Sequence, residues 1–167
     1  MRALGTAHGS APVMFGQPAP PGELLPWDWA ERRLVAAVNY WIATAGPAGR
    51  PHCRPVWGVW LPDGFWFSTG SVTARNLSVN AEITVHLESG QEVVIVEGTA
   101  REVRDQPSLH AMCEAYGPKY DYPVAPTPER TVADSSGTGV PAYLVTPSAV
   151  FGWDADMTSP TKWTFGR

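Results

Sequence analysis

Short apolar segments separated by turn-forming residues fill residues 50–98. The segments are rich in Trp, Phe and Val, and the sequence Pro62-Asp63-Gly64 between two of them is typical of a hairpin turn. Four such segments within about fifty residues predict a compact antiparallel β-barrel or sandwich. The predicted strands are residues 52–61, 65–69, 82–88 and 92–103.

Helices and further strands are predicted on both sides of this stretch. An amphipathic pattern predicts a helix with Asp28 as its cap, and Ser71 or Thr73 is placed to cap a shorter one. Residues 1–26, which include Pro20 and Pro21, predict a flexible or extended arm. The predicted helices are residues 28–40, 73–79 and 107–116, the further strands are 41–44, 140–153 and 161–165, and residues 117–139 are expected to form a long surface loop.

Composition favours a single globular domain that follows the arm and covers residues 27–167. A net charge of −4 argues against nucleic-acid binding, and no apolar run is long enough to span a membrane. No secretory signal is recognised at the N-terminus, so a reduced, cytoplasmic setting is expected. Cys53 and Cys113 lie far apart, which predicts neither a zinc site nor a disulfide framework, and no metal site is expected.

Arginines close together in the sequence are the best candidates for a binding site. Strand alternation places His52, Arg54 and Val56 on one face. Arg75 is expected at the start of the short helix, where a helix N-terminus and a guanidinium bind phosphate well. The hydroxyls of the preceding Ser68-Thr69 could contribute hydrogen bonds.

Other interpretations of these residues stay open. Taken singly, each arginine also fits an ordinary solvated surface charge. Cys53 fits a small half-buried strand residue better than a nucleophile, and His86 fits a surface or packing residue better than a catalyst. Hydrolytic catalysis has little support because the sequence lacks a G-x-S-x-G elbow, an H-E-x-x-H motif and a P-loop.

Several segments in order resemble the pyridoxamine 5′-phosphate oxidase-like split β-barrel superfamily. The resemblance covers roughly residues 28–167, and the order and spacing of the segments make it more specific than any one motif. The segments are Trp41-Ile42-Ala43-Thr44, residues 49–56, Trp66-Phe67-Ser68-Thr69, Arg75-Asn76-Leu77, Lys119-Tyr120 and residues 161–165.

This resemblance implies a six- to seven-stranded antiparallel split β-barrel that forms a homodimer with cofactor sites at the subunit interface. It implies either the deazaflavin coenzyme F420 or FMN as the cofactor. By the same resemblance, Arg54 and Val56 would lie beside the cofactor ring, and Phe67, Ser68 and Thr69 would contact ring or phosphate. Arg75 and Asn76 would hold the phosphate, and Lys162 and Trp163 would close the pocket, from the same or the partner subunit.

Two departures from the family pattern refine the expected function. Vitamin-oxidising members carry an adjacent Arg-Lys pair where this chain has Arg75 followed by Asn76, and they end in an Arg-x-His-Arg type of motif that is missing here. Pyridoxamine-phosphate oxidase activity itself is therefore not expected. The Trp-rich barrel and the Trp-x-Phe tail, Trp163-Thr164-Phe165, look closer to the deazaflavin-dependent branch, so F420 is preferred over FMN.

The resulting hypothesis is an oxidoreductase that transfers a hydride to or from a small conjugated substrate. No catalytic acid or base is assigned, and any proton would come from Tyr116, Tyr120 or solvent. A non-catalytic binder of flavin, haem or another planar ligand is the alternative, and a dimeric scaffold without ligand is a third hypothesis.

Overall fold

In the computed structural model, the described residues, 3–18 and 22–166, form three helices and thirteen strands. The helices are α1 (Trp27–Ala36), α2 (Val72–Leu77) and α3 (Gln106–Tyr120). The strands that precede α2 are β1 (Ala7–Ser10), β2 (Val13–Met14), β3 (Gln17–Pro18), β4 (Tyr40–Ala45), β5 (Pro51–Val56), β6 (Val59–Leu61) and β7 (Gly64–Ser68). Those that follow it are β8 (Glu82–His86), β9 (Val93–Val103), β10 (Ala125–Pro126), β11 (Val132–Ala133), β12 (Ala142–Trp153) and β13 (Thr161–Phe165).

The main sheet is antiparallel and divides into two branches at β12. Along its path the order is β1-β13-β12-β9-β8-β4-β5, and β12 also pairs with β7, which pairs with β6. The first residues of β12 pair with β7 and its later residues pair with β13, while β9 runs along its other edge. The prediction of a mainly β, antiparallel fold with short helices is confirmed. The sheet has nine strands rather than six or seven.

Two of the extra strands arise from segments that the sequence pattern did not resolve. The predicted strand 52–61 divides into β5 and β6 at Trp57-Gly58. A Cβ atom on Gly58 would lie 2.4 Å from the ring of Phe65, so the backbone can pass this point only without a side chain. Within the predicted arm, β1 pairs with β13 and is therefore extended and ordered. Pro20 and Pro21 lie outside the described residues.

The helices also differ from their predicted bounds. Helix α1 ends at Ala36, and Asp28 lies in its first turn instead of capping it. Helix α3 continues through Pro118 to Tyr120, and β10 and β11 form a small sheet inside the predicted long loop. Ser71 caps α2, as expected, with its hydroxyl accepting from the backbone of Thr73.

Two apolar clusters lie on opposite sides of β7. The larger cluster fills the barrel and includes Phe65, Phe67 and Trp163, whereas Trp66 belongs to a second cluster under α3 that includes Tyr116. Because successive strand residues point to opposite faces, β7 is covered on both sides and its end is held firmly. No helix among the described residues has the length and apolar character needed to cross a membrane.

Candidate functional site

The face of β5 that carries Arg54 lies beside the end of β7. Strand β5 is the last strand of the main sheet and pairs only with β4 within the described chain. His52, Arg54 and Val56 are half-buried on one face, and the residues between them are exposed, which confirms the predicted alternation. The cross-strand partner of Arg54 is the buried Ile42, so this face borders the core.

Two cavities lie along β5. The first, called here the aromatic cavity, has a volume of about 310 Å³, and the second, called the cationic cavity, has a volume of about 390 Å³. The aromatic cavity is lined by Asn39, Arg54, Pro55, Val56, Trp57, Ser68, Thr69 and Tyr116. The cationic cavity is lined by Gly46, Pro47, Ala48, Arg50, Pro51, His52, Val72, Arg75 and Asn76. No acidic residue of the described chain lines either of them.

Within the part of the chain that the structure describes, the arginines of both cavities form no ion pair with a carboxylate. The ion pairs found among residues 3–18 and 22–166 involve Arg32, Arg33 and Arg104, each on another part of the surface. Arg54 in the aromatic cavity and Arg75 in the cationic cavity therefore keep their positive charges available within that part of the chain. A protein with net charge −4 thus has two positive charges, on β5 and on α2, that form no ion pair within the described residues.

The position of Arg75 on its helix differs from the prediction. Helix α2 begins at Val72, and Arg75 lies in its last turn rather than at its start. At the helix N-terminus, the Ser71 hydroxyl accepts from the backbone N–H of Thr73 and lies 2.9 Å from the hydroxyl of Thr69. Arg75 therefore lines the cationic cavity from the last turn of α2, and Val72, the first helical residue, lines the same cavity.

The aromatic cavity has a rigid wall of tyrosines and tryptophan. Trp57 stacks on Tyr120 with ring centroids 4.7 Å apart and planes at 7°, and Tyr116 packs against Tyr120 at 4.8 Å. Burial raises the pKa of Tyr116 to about 12, so its phenol is protonated at neutral pH. Trp57 was not predicted as a site residue from the sequence, because its stacking partner Tyr120 is distant in the chain and no local pattern reports the contact.

A comparison with known families decides how the chain is classified. The family model described as pyridoxamine 5′-phosphate oxidase matches residues 32–140. The chain belongs to this family. The matched range includes both cavities and all of β5, α2 and α3. No curated protein matches the sequence.

Solved structures of the pyridoxamine 5′-phosphate oxidase fold are similar to this chain at low sequence identity. The haem storage protein HutZ from Vibrio cholerae is 17% identical with a TM-score of 0.57, covering 78% of this chain and 94% of that chain. An F420 reductase is 21% identical with a TM-score of 0.52, covering 71% and 94%. A conserved hypothetical protein from Mycobacterium tuberculosis is 21% identical with a TM-score of 0.60, covering 81% and 88%. These likenesses establish the fold.

The site residues expected from the family pattern fall into three groups. Arg54, Val56, Ser68 and Thr69 line the aromatic cavity, and Arg75 and Asn76 line the cationic cavity. Phe67 is fully buried between Phe65 and Tyr143, so only its backbone lies near the cavity-lining Ser68. Lys162 lies over the Phe151 ring and Trp163 is buried in the barrel core, and neither lines these cavities within the single chain.

The residues present fit an anionic, phosphate-bearing cofactor of the kind that some members of this family bind. Guanidinium groups are available in both cavities, and the hydroxyl of Ser68 makes no side-chain hydrogen bond to a described residue. One buried polar atom of a residue that lines the cationic cavity, Nε2 of His52, also lacks a partner in the described chain. A buried group of this kind is usually satisfied by a partner, so it points to a polar occupant close by.

Proposed function

We propose that this chain is a cytoplasmic, homodimeric oxidoreductase that uses F420, or alternatively FMN, to transfer a hydride to or from a small conjugated substrate. The observation that carries the proposal is that Arg54 on β5 and Arg75 on α2 form no ion pair within the described residues and lie beside an apolar surface formed by Val56 and the end of β7. Guanidinium groups bind phosphate and carboxylate through charge-assisted hydrogen bonds, and an apolar surface suits a ring system.

Within this proposal, the aromatic cavity receives the cofactor ring and its linker. Val56 and the backbone next to Ser68 supply a firm surface, because β7 is packed on both faces. Arg54 and Ser68 would bind polar groups of the cofactor, and Thr69, whose hydroxyl already interacts with Ser71, would hold the loop in place. The bound cofactor supplies the hydride chemistry, and these residues bind and orient it and exclude water.

The second cavity favours F420 over FMN. F420 carries a phosphodiester and a tail of carboxylates, whereas FMN carries one terminal phosphate. Arg50 and Arg75 both line the cationic cavity, which offers a place for an anionic tail beyond the first phosphate. A single arginine where vitamin-oxidising relatives have an Arg-Lys pair also argues against pyridoxamine-phosphate oxidase activity.

A second subunit would complete the site. Strand β5 ends the described sheet path, so the cavities lie at an edge that another copy can cover. In this arrangement, Lys162 would reach the cofactor of the partner subunit, and Trp163, which is buried in the barrel core, would close the pocket by supporting β13 from within.

Titration with the two cofactors tests the proposal. We expect the purified protein to quench F420 fluorescence with a micromolar or lower Kd and to bind FMN more weakly. Arg54→Ala and Arg75→Ala should each weaken F420 binding by about 1.5–3 kcal/mol, the range for a hydrogen bond to a charged group. Arg101→Ala, which removes an exposed arginine on β9, is the matched control and should leave the Kd unchanged.

The same experiment separates the proposal from a non-catalytic planar-ligand binder. A Soret band on adding haemin, with no response to F420 or FMN, would support haem binding instead. If no cofactor binds at micromolar concentration, or if the arginine variants bind F420 as the wild type does, the proposal is wrong.

A further inference from the structure

We propose that Trp57 and Tyr116 form the substrate subsite of the aromatic cavity, and that the substrate is a planar conjugated carbonyl compound. The inference rests on the proposed function, because a substrate subsite needs a cofactor beside it. It goes further by naming the residues and the chemical class that they recognise.

Trp57 presents a flat aromatic surface at the cavity. Trp57 is 44% exposed, although its side chain is one of the largest apolar side chains of the protein. One face of its ring is covered by Tyr120 and its edge meets Tyr122 at 6.0 Å. The opposite face is left for a ligand. Stacked aromatic pairs contribute beyond the area they bury, which favours a planar ligand.

Hydrogen bonds hold this surface rigidly. The hydroxyl of Tyr120 accepts from the backbone N–H of Gly58 at 3.0 Å and lies 2.8 Å from the carbonyl oxygens of both Gly58 and Val38, to one of which it donates. These bonds attach the side chain of Tyr120, on which Trp57 stacks, to the backbone at Gly58 and at Val38. A surface that is ordered before binding loses little conformational freedom when a ligand stacks on it.

Tyr116 supplies a hydrogen-bond donor next to this surface. Its side chain lines the aromatic cavity and makes no side-chain hydrogen bond to a described residue. The two tyrosines therefore differ in role, because the hydroxyl of Tyr120 is engaged by the backbone and that of Tyr116 is available. The phenol oxygen is not closed off from solvent, so a ligand in the cavity can reach it and accept a hydrogen bond through a carbonyl oxygen.

Position along β5 separates this subsite from the phosphate-binding end of the site. His52 and Arg75 line the cationic cavity, and Trp57 follows the other end of β5. The five residue steps from His52 to Trp57 span about 16 Å in an extended chain. Within the aromatic cavity, Trp57 and Tyr116 are distinct from Val56 and the backbone next to Ser68, which would hold the cofactor ring, so the exposed face of Trp57 is left for a second molecule.

Two probes of similar shape test the inference. Chromone is a planar bicyclic compound with a conjugated carbonyl, and naphthalene is a planar bicycle without one. Trp57→Leu should weaken the binding of both probes at least tenfold, measured by NMR titration. Tyr116→Phe should weaken chromone about tenfold and change naphthalene less than twofold. Trp57→Phe keeps an aromatic face and should retain most of the affinity.

Controls separate this inference from the proposed function. Trp153→Leu changes a half-buried tryptophan at the end of β12 and should leave both probes unaffected. The affinities for F420 and FMN should change less than twofold in Trp57→Leu and Tyr116→Phe. If the cofactor affinity falls together with that of the probes, Trp57 belongs to the cofactor site and the inference is wrong.

The remaining outcomes are equally decisive. The inference is also wrong if the wild type binds neither probe, or if both variants bind them like the wild type. If the probes bind in the expected pattern but no cofactor binds, the proposed function fails while the recognition of planar carbonyl compounds stands.

Discussion

Asn76 donates its side-chain amide to the hydroxyl oxygen of Thr44 over 3.1 Å, and both side chains are buried. The bond connects α2 to β4. Helix α2 has only six residues, too few to be stable without tertiary contacts. The Asn76–Thr44 bond therefore helps to hold Arg75, one residue earlier, at the cationic cavity.

Removing the amide should lower stability. Asn76→Ala leaves the Thr44 hydroxyl buried without its donor, and we expect a loss of about 1–3 kcal/mol in the free energy of unfolding, measured by urea denaturation. Thr44→Val and the double variant Asn76→Ala/Thr44→Val complete a double-mutant cycle. The coupling energy between the two side chains should be about 1 kcal/mol. An Asn76→Ala protein of unchanged stability but weakened F420 affinity would instead make Asn76 a direct cofactor ligand.

Gly58 should tolerate no side chain. A Cβ at this position would lie 2.4 Å from the Phe65 ring and 2.5 Å from the carbonyl oxygen of Trp66. Overpacking of this kind typically costs about 1–3 kcal/mol, so Gly58→Ala should lower the denaturation midpoint clearly. Gly90→Ala is the matched control, because no atom lies within 4 Å of its added Cβ. Equal midpoints for the two variants would contradict the close approach.

The regular strands could be predicted from the sequence because each leaves a local signal. Alternation along β5 placed Arg54 and Val56 on one face, and the Pro62-Asp63-Gly64 turn located the hairpin of β6 and β7. These features depend on neighbours in sequence. The bend at Gly58 left a weaker signal, since its cause is the ring of Phe65 on another strand.

The wall of the aromatic cavity could not be predicted because distant segments build it. Trp57 and Tyr120 stack across 63 residues of sequence, and no local period reports that contact. The continuation of α3 through Pro118 has the same origin. Proline disfavours a helix interior, but Lys119 and Tyr120 in the last turn bond to Tyr40 and Gly58 and hold the turn in helical form.

Lys119 makes stability depend on pH in an unusual direction. Its ammonium donates to Tyr40 Oη at 2.8 Å and to the Gly58 carbonyl at 3.2 Å, and burial lowers its pKa to about 8 from 10.5. Between these two values the unfolded chain holds a proton that the folded protein has released. Stability therefore rises with pH in this window, because the cost of burying the charge is relieved.

Lys119→Met should remove this dependence. Between pH 7 and pH 9.5 the wild type should gain about 1 kcal/mol of unfolding free energy relative to the variant, with solvent screening of the half-buried group allowed for. The tyrosines that contact the ammonium, Tyr40 and Tyr120, have pKa values raised by burial, and both tyrosines are present in wild type and variant. Urea denaturation at the two pH values measures the difference, and Lys162→Met controls for the loss of a lysine. Parallel pH profiles for wild type and Lys119→Met would show that the ammonium is charged in the folded protein throughout the range.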